Sequence, residues 1–405
     1  MSEAISVLES GTVLTPKGYT GGAVFAGLKT AGTDKLDLGV IFSELPAKAV
    51  GTFTTNRVRS PSVALSERNI ASGQARAIVA NSGSANCCVG GQGLTDAKEM
   101  TSLVAEKLNL SAGEVLICST GIIGVELPMG LIRSGLGNLV LTRDQGHAFA
   151  RSIMTTDTFV KQIAVSVELG GTLIQIGGCA KGSGMIHPNM ATLLGFLTTD
   201  ASVDDALLKE SLHDAVDSTF NMISVDADTS TNDSVLLLAN GASGGAPIRP
   251  MTPEADRFVE ALRFVCAELA KAVARDGEAA TKLIEVNVDG APSVGEARSA
   301  ARSVSSSILV KIAVHGNDPN WGRIMMAVGK SGANFQESKV ALYINDFCVM
   351  EKGLPIPYFK ESLVASMQTR DVRISVHLNN GTCSATAWGC DMTEGYVTFN
   401  SAYTT

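Results

Sequence analysis

The stretch Lys181-Gly182-Ser183-Gly184-Met185-Ile186-His187-Pro188-Asn189-Met190-Ala191-Thr192-Leu193-Leu194 carries a glycine-rich segment into a threonine set between a small residue and an apolar run. A threonine hydroxyl becomes a useful nucleophile only with a base beside it. Cutting the chain just before the residue supplies one, the freed α-amine of the threonine itself. An unperturbed α-amine titrates at about 7.7–8.0, near the pH at which a general base works best. Residue chemistry alone leaves a second reading open at equal weight: a Gly/Pro loop entering a buried helix at Met190.

Other residues could serve such a nucleophile. Thr120 and Gly121 follow the strand candidate Val115–Cys118, and a strand end opening into a glycine turn exposes the N–H groups that an oxyanion hole requires. Taken alone, Gly121 reads more readily as a plain turn residue. Lys181 lies eleven residues before Thr192. It is either a solvated surface lysine or an ammonium able to lower the pKa of a nearby amine. The Gly177–Gly184 region is not a phosphate loop, because Lys181 precedes its glycine instead of following it. Asp226, Asp228, Asn232 and Asp233 lack the spacing of a calcium loop and read as turn-making and buried polar networking. The five histidines form no H-x-x-x-H pair, and Cys383 and Cys390 lack zinc spacing, so no metal is expected. Cys87-Cys88 has no nameable base for a thiol nucleophile.

The run Ala180-Lys181-Gly182-Ser183-Gly184-Met185-Ile186 with Pro188-Asn189-Met190-Ala191-Thr192 resembles the self-cleavage and nucleophile motif of glutamate N-acetyltransferases, also called ornithine acetyltransferases, of arginine biosynthesis. Six further segments resemble that family in its order: Ser119–Gly124, Ile153–Thr158, Val225–Asp233, Asp276–Glu278, His315–Arg323 and Asn400–Thr405. The likeness spans nearly the whole chain.

The resemblance implies a self-cleaving enzyme cut between Ala191 and Thr192 into chains 1–191 and 192–405, with Thr192 as nucleophile. It implies Thr120 and Gly121 as the oxyanion hole. Thr155, Lys181, Thr192, Glu278, Asn400 and Thr405 would bind substrate, Glu278 facing the cationic ornithine side chain. Acetyl would pass from N-acetylornithine to glutamate through an acetyl-threonine. His187 resembles the version in bifunctional bacterial members, which also take acetyl-CoA as donor substrate; no cofactor is implied. Alternatives are a monofunctional transacetylase, a secondary-pathway acetyltransferase, and a self-cleaving amidase or aminopeptidase in which water replaces glutamate. A non-catalytic small-molecule-binding protein is the furthest rival. By analogy the fragments stay together and pair as α2β2.

The elements that must position these residues are those of an α/β or mixed α+β chain, in which Val/Ile-rich runs alternate with amphipathic helices. At 405 residues more than one core is expected. Strand candidates are Leu38–Phe42, Ala77–Ala80, Val115–Cys118, Ile163–Val167, Val235–Leu238, Leu283–Val288, Leu309–Val314, Val340–Ile344 and Val372–Leu378. Helices are expected from Ser202, from Thr252 with Pro253, from Ser293 with Glu296, and over about Thr95 to Leu108. The family likeness implies an α/β/α sandwich over 1–280 and a smaller C-terminal α/β domain over 281–405. A net charge of −8 without basic clusters argues against nucleic acid. No apolar run is long enough to span a membrane. Acids at the N-terminus do not fit a secretory signal, and scattered cysteines fit a cytoplasmic setting.

Overall fold

The computed structural model describes residues 5–29, 35–187 and 193–402. Ala191, Thr192 and Thr405 lie outside the described residues, as does Met190, where the loop-to-helix alternative was placed.

Strands Tyr19–Val24, Leu38–Ser43, Ala77–Ser84 and Val115–Ile122 form a four-stranded sheet in that order, only the last pair being parallel. Side chains alternate between its faces, as strand geometry requires. Leu38, Val40, Val79 and Ile117 meet helices Pro61–Ile70, Gln92–Leu108 and Met129–Asn138. Ile41, Ile78, Ala80 and Leu116 turn the other way, toward a second sheet.

That second sheet runs Ser6–Val7, Lys161–Leu169, Thr172–Lys181, Leu194–Thr199, Ser234–Ala239, Lys48–Phe53. Phe196, Leu236 and Leu238 pack against the first sheet. Ile174, Ile176, Leu197, Val235 and Leu237 face helices Asp205–Ser218 and Pro253–Arg275. The middle of the sandwich is therefore two stacked sheets with helices on both outer faces. Helix Pro253–Arg275 starts as read: the Thr252 side chain accepts from Ala255 N, Pro253 holds the first position, and Phe258, Leu262, Val265, Leu269 and Val273 form the buried stripe.

A seven-stranded sheet follows, ordered Ile223–Ser224, Cys383–Cys390, Leu283–Ala291, Asp371–His377, Ala341–Ile344, Phe347–Glu351, Leu354–Pro355. Helix Val294–Ser305 covers it, with Ser293 capping Glu296 N as expected. Two expectations need correction. Leu309–Val314 is not a strand but part of helix Ile308–His315. Its exposed Ile308, Leu309 and Ile312 hide the helical period of buried Val310, Lys311 and Val314. Lys311 is fully buried because its Nζ donates to the carbonyls of Ser224 (2.9 Å) and Cys390 (2.8 Å). The helix expected from Ser202 starts later, with Asp204 as N-cap accepting from Ala206 N and Leu207 N. No helix among the described residues is long and apolar enough to cross a membrane.

Candidate active site

Where the strands Ala77–Ser84 and Val115–Ile122 end, the ladder becomes irregular at Gly83/Ser84. Such a break is where backbone groups leave the sheet. Gly121 has φ +129°, and a Cβ there would collide with the Gly83 backbone. Only glycine fits. Beside it, Lys181 Nζ donates to Thr120 Oγ1 at 3.3 Å. An ammonium has no acceptor, so the Thr120 hydroxyl accepts from Lys181 and keeps its own proton to donate into the cavity. Asn232 clamps this corner by donating to the carbonyls of Ala85 (2.5 Å) and Ser119 (2.8 Å).

Lys181 is 8% exposed, a buried cation and not a surface one. Burial pulls its ammonium below the ordinary value, and Asp157, Asp233 and Glu278 oppose that shift. It pairs with Leu194 in the sheet, and Ser234 pairs with Leu194 from the other side. The chain just past Thr192 thus runs between the strand that ends at Lys181 and the strand that follows Asp233.

The acidic end of the same cavity is built on Glu278. One of its oxygens accepts from Thr156 Oγ1 (2.7 Å) and the other from Asn400 Nδ2 (2.9 Å). Ser183 donates to Thr156 in turn, at 2.5 Å. Gly184 lies directly under the Glu278 carboxylate, where any side chain would overlap it. Asn400 belongs to helix Glu394–Ala402, so the tail docks as an element, helped by Tyr396 Oη donating to Asp226 at 3.3 Å. Asp226 also accepts from Met185 N and Ile186 N. That is the turn-making role expected of the aspartate cluster. Burial pushes the carboxyls of Asp226 and Asp233 up.

Beneath the site lies a fully buried ionic group that the sequence reading missed. Lys161 Nζ lies 2.6 Å from Asp157 Oδ1 and 2.5 Å from Asp276 Oδ2. Asp157 accepts from Thr155 N and Gly182 N, and Asp276 accepts from Thr158 N and Oγ1. One lysine thereby ties the Thr155–Thr158 segment, the Gly182 turn and the end of helix Pro253–Arg275 together. Burial pushes the Asp157 carboxyl up, but Lys161, Lys181 and the Gly182 N–H outweigh it and leave it at about 2. The one local signal was a lysine standing among apolar residues of a strand, at Val160-Lys161-Gln162-Ile163.

Thr120, Gly121, Thr155, Lys181, Glu278 and Asn400 all line one cavity of about 680 Å³. These are all the substrate and oxyanion candidates that fall among the described residues. The lining of the cavity also includes Lys29, Lys35 and Arg151, which no sequence signal marked.

The pattern of the ArgJ family matches residues 20–405. The arginine biosynthesis bifunctional protein ArgJ of Dehalococcoides mccartyi (strain CBDB1) is 47% identical over 405 residues, all of both chains. The protein of the same name from Symbiobacterium thermophilum is 47% identical over 398 residues, 98% of this chain and 99% of its own. Among solved structures, the arginine biosynthesis bifunctional protein argJ of Bacillus halodurans superposes with a TM-score of 0.51 at 41% identity, covering 52% of this chain and 100% of that one.

Proposed function

This chain belongs to the ArgJ family, and from that premise we propose that it moves an acetyl group from N-acetylornithine to glutamate through an acetyl ester on Thr192. It is an acetyltransferase of arginine biosynthesis. The observation that carries the finer reading is the convergence of a buried cation, a glycine-built oxyanion corner and a hydrogen-bonded carboxylate on one cavity. The strand that begins at Leu194 pairs there with Lys181, which lines that cavity.

Maturation comes first. The Thr192 hydroxyl attacks the Ala191 carbonyl, the acyl group shifts from nitrogen to oxygen, and water hydrolyses the ester to leave chains 1–191 and 192–405. In the solved relative, a chain matched over its whole length accounts for 52% of this one, which fits a polypeptide divided near its middle.

In turnover the neutral Thr192 amine takes the hydroxyl proton as oxygen attacks the acetyl carbonyl of N-acetylornithine. The Thr120 hydroxyl and Gly121 N–H donate to the oxyanion that forms; losing one such donor typically lowers kcat by about 10²–10³. The ammonium returns its proton to the departing ornithine nitrogen. Glutamate then attacks the acetyl-threonine through its α-amine, and the same steps run in reverse. Nearby Lys181 disfavours a second positive charge and so keeps the Thr192 amine basic but unprotonated near neutral pH. Glu278 receives the ornithine side-chain cation, a charge-assisted contact. Thr155, Asn400 and Thr405 complete the hold on the amino-acid portion.

Acetyl-CoA as a second acetyl donor, no bound cofactor, a cytoplasmic setting and an α2β2 assembly belong to the same proposal. All eight cysteines are free, which suits a reducing compartment. Intact-mass spectrometry tests the central claim. We expect two chains divided before Thr192, the C-terminal one gaining the mass of one acetyl group with N-acetylornithine. Thr192→Ala should stay uncut and inactive. A full-length chain with normal turnover would refute the assignment.

A further inference from the structure

We propose that Lys29, Lys35 and Arg151 form a second side-chain subsite of this cavity, one that holds the side-chain carboxylate of a dicarboxylic acceptor such as glutamate. The inference rests on the acetyl-transfer reading above. That reading asks one cavity to release an amino acid with a cationic side chain and then accept one with an anionic side chain.

The acidic end cannot serve both. Glu278, Asp226 and Asp228 line it, and a substrate carboxylate placed about 4 Å from one of theirs would bind roughly a thousandfold more weakly. The α-carboxylate is common to donor and acceptor, so a residue that binds it cannot tell them apart. What differs is the side chain, and the cations of the lining other than Lys181 are Lys29, Lys35 and Arg151. Among the described residues no carboxylate lies within ion-pair distance of these three cations. Among the described residues Lys29 Nζ donates to the Leu36 carbonyl, at 3.1 Å. Arg151 stands at the end of helix Gly146–Ser152, exposed, and its planar fork suits a carboxylate.

Backbone packing fixes Lys29 against the reacting end. The buried Asp37 carboxylate accepts from Ala26 N (2.7 Å) and Leu28 N (2.6 Å), setting the path into Lys29. Gly83 has φ +115°, and a Cβ there would come within 2.7 Å of the Leu28 carbonyl oxygen and 3.1 Å of Lys29 N. Gly83 in turn is the residue against which Gly121 packs. Lys29, Gly83 and Gly121 thus lie in successive contact, and the Lys29 ammonium feels the Asp37 carboxylate first, then Asp157 and Lys181. An acceptor whose α-amine reaches the acetyl group has these cations in the same cavity.

The test uses the mature enzyme carrying R151A, R151K or K29A, with glutamate and ornithine compared as acceptors from acetylated enzyme. We expect R151A and K29A each to raise the KM for glutamate roughly tenfold to a hundredfold, the loss of one charge-assisted contact. The KM for ornithine should stay within about twofold, and R151K should recover part of the loss. An equal rise for both amino acids would assign these cations to the shared α-carboxylate and overturn the proposal. So would an unmoved glutamate KM, including one accompanied by a rise confined to acetyl-CoA as donor. Intact mass keeps the two levels apart: wild-type enzyme that never takes up acetyl would overturn the transfer reading and the subsite with it. Normal acetylation with unchanged acceptor kinetics would remove the subsite alone.

Discussion

At the residue scale, the clearest handle outside the cavity is His187, the last described residue before the proposed cut. Arg302 lies 3.2 Å from its Nε2 and can only donate, so Nε2 accepts and the ring proton sits on Nδ1, 3.1 Å from Ser224 Oγ. Burial, then the Arg302 and Lys311 charges, push this histidine down to about 4. An unfolded chain protonates it at about 6.5. Between those values the unfolded state holds more protons, so stability falls as pH drops from about 6.5 to about 4 and then levels. His187→Gln should flatten that part of a plot of urea midpoint against pH. Identical slopes in both proteins would exclude His187 as the source. Residues of this scale were legible when they sat in contiguous motifs. Thr120-Gly121, Lys181 and Glu278 could be named from neighbours in the chain. Lys29 and Arg151 could not, because only the fold brings them to the same cavity.

At the scale of elements, the Lys161 group decides whether three segments stay in register beneath the site. Lys161→Met removes the cation and leaves the Asp157 and Asp276 carboxylates buried and unpaired. A break of that kind costs about 3–5 kcal/mol. Urea denaturation should register a loss of that size, together with a raised KM for N-acetylornithine as Thr155 and Gly182 lose their common anchor. A loss below about 1 kcal/mol would mean that the carboxylates find other partners. The same scale shows why some elements could not be read. Short Val/Ile-rich apolar runs exposed the strands Leu38–Ser43 and Ala77–Ser84, and the Thr252 and Ser293 caps marked helices correctly. Ile308–His315 misled because apolar residues cover its exposed face as well as its buried one. Ser202 misled because Asp204, a better acceptor at the turn, follows it by two residues. The Lys161 group was hidden for a different reason: its partners lie 4 and 115 residues away, and no local pattern announces a buried ion pair.

At the scale of the whole molecule, the proposed cut falls between two neighbouring strands of one sheet. Thr172–Lys181 and Leu194–Thr199 pair in antiparallel register from Ile176–Thr199 to Lys181–Leu194. We further propose the division into 1–280 and 281–405, noting that Ile223–Ser224 already joins the C-terminal sheet. Thr120, Gly121, Thr155 and Lys181 come from the proposed chain 1–191 and Glu278 and Asn400 from 192–405. Neither piece alone should therefore turn over substrate. In the uncut Thr192→Ala chain both strands share one tether, whose effective concentration is on the order of millimolar. Once divided, regaining the fold becomes a two-body event governed by mass action. Refolding yield of mature enzyme from urea should fall on dilution, while Thr192→Ala should recover independently of dilution. Equal yields would mean the pieces never part.

The hairpin connection between those strands would then work as a scaffold for assembly that the protein itself discards. A temporary covalent link would guide the halves to one another once, during synthesis, and its removal would exchange reversibility for a catalytic amine. Heat damage to such an enzyme would be hard to undo, and the cell's remedy would be a newly made chain.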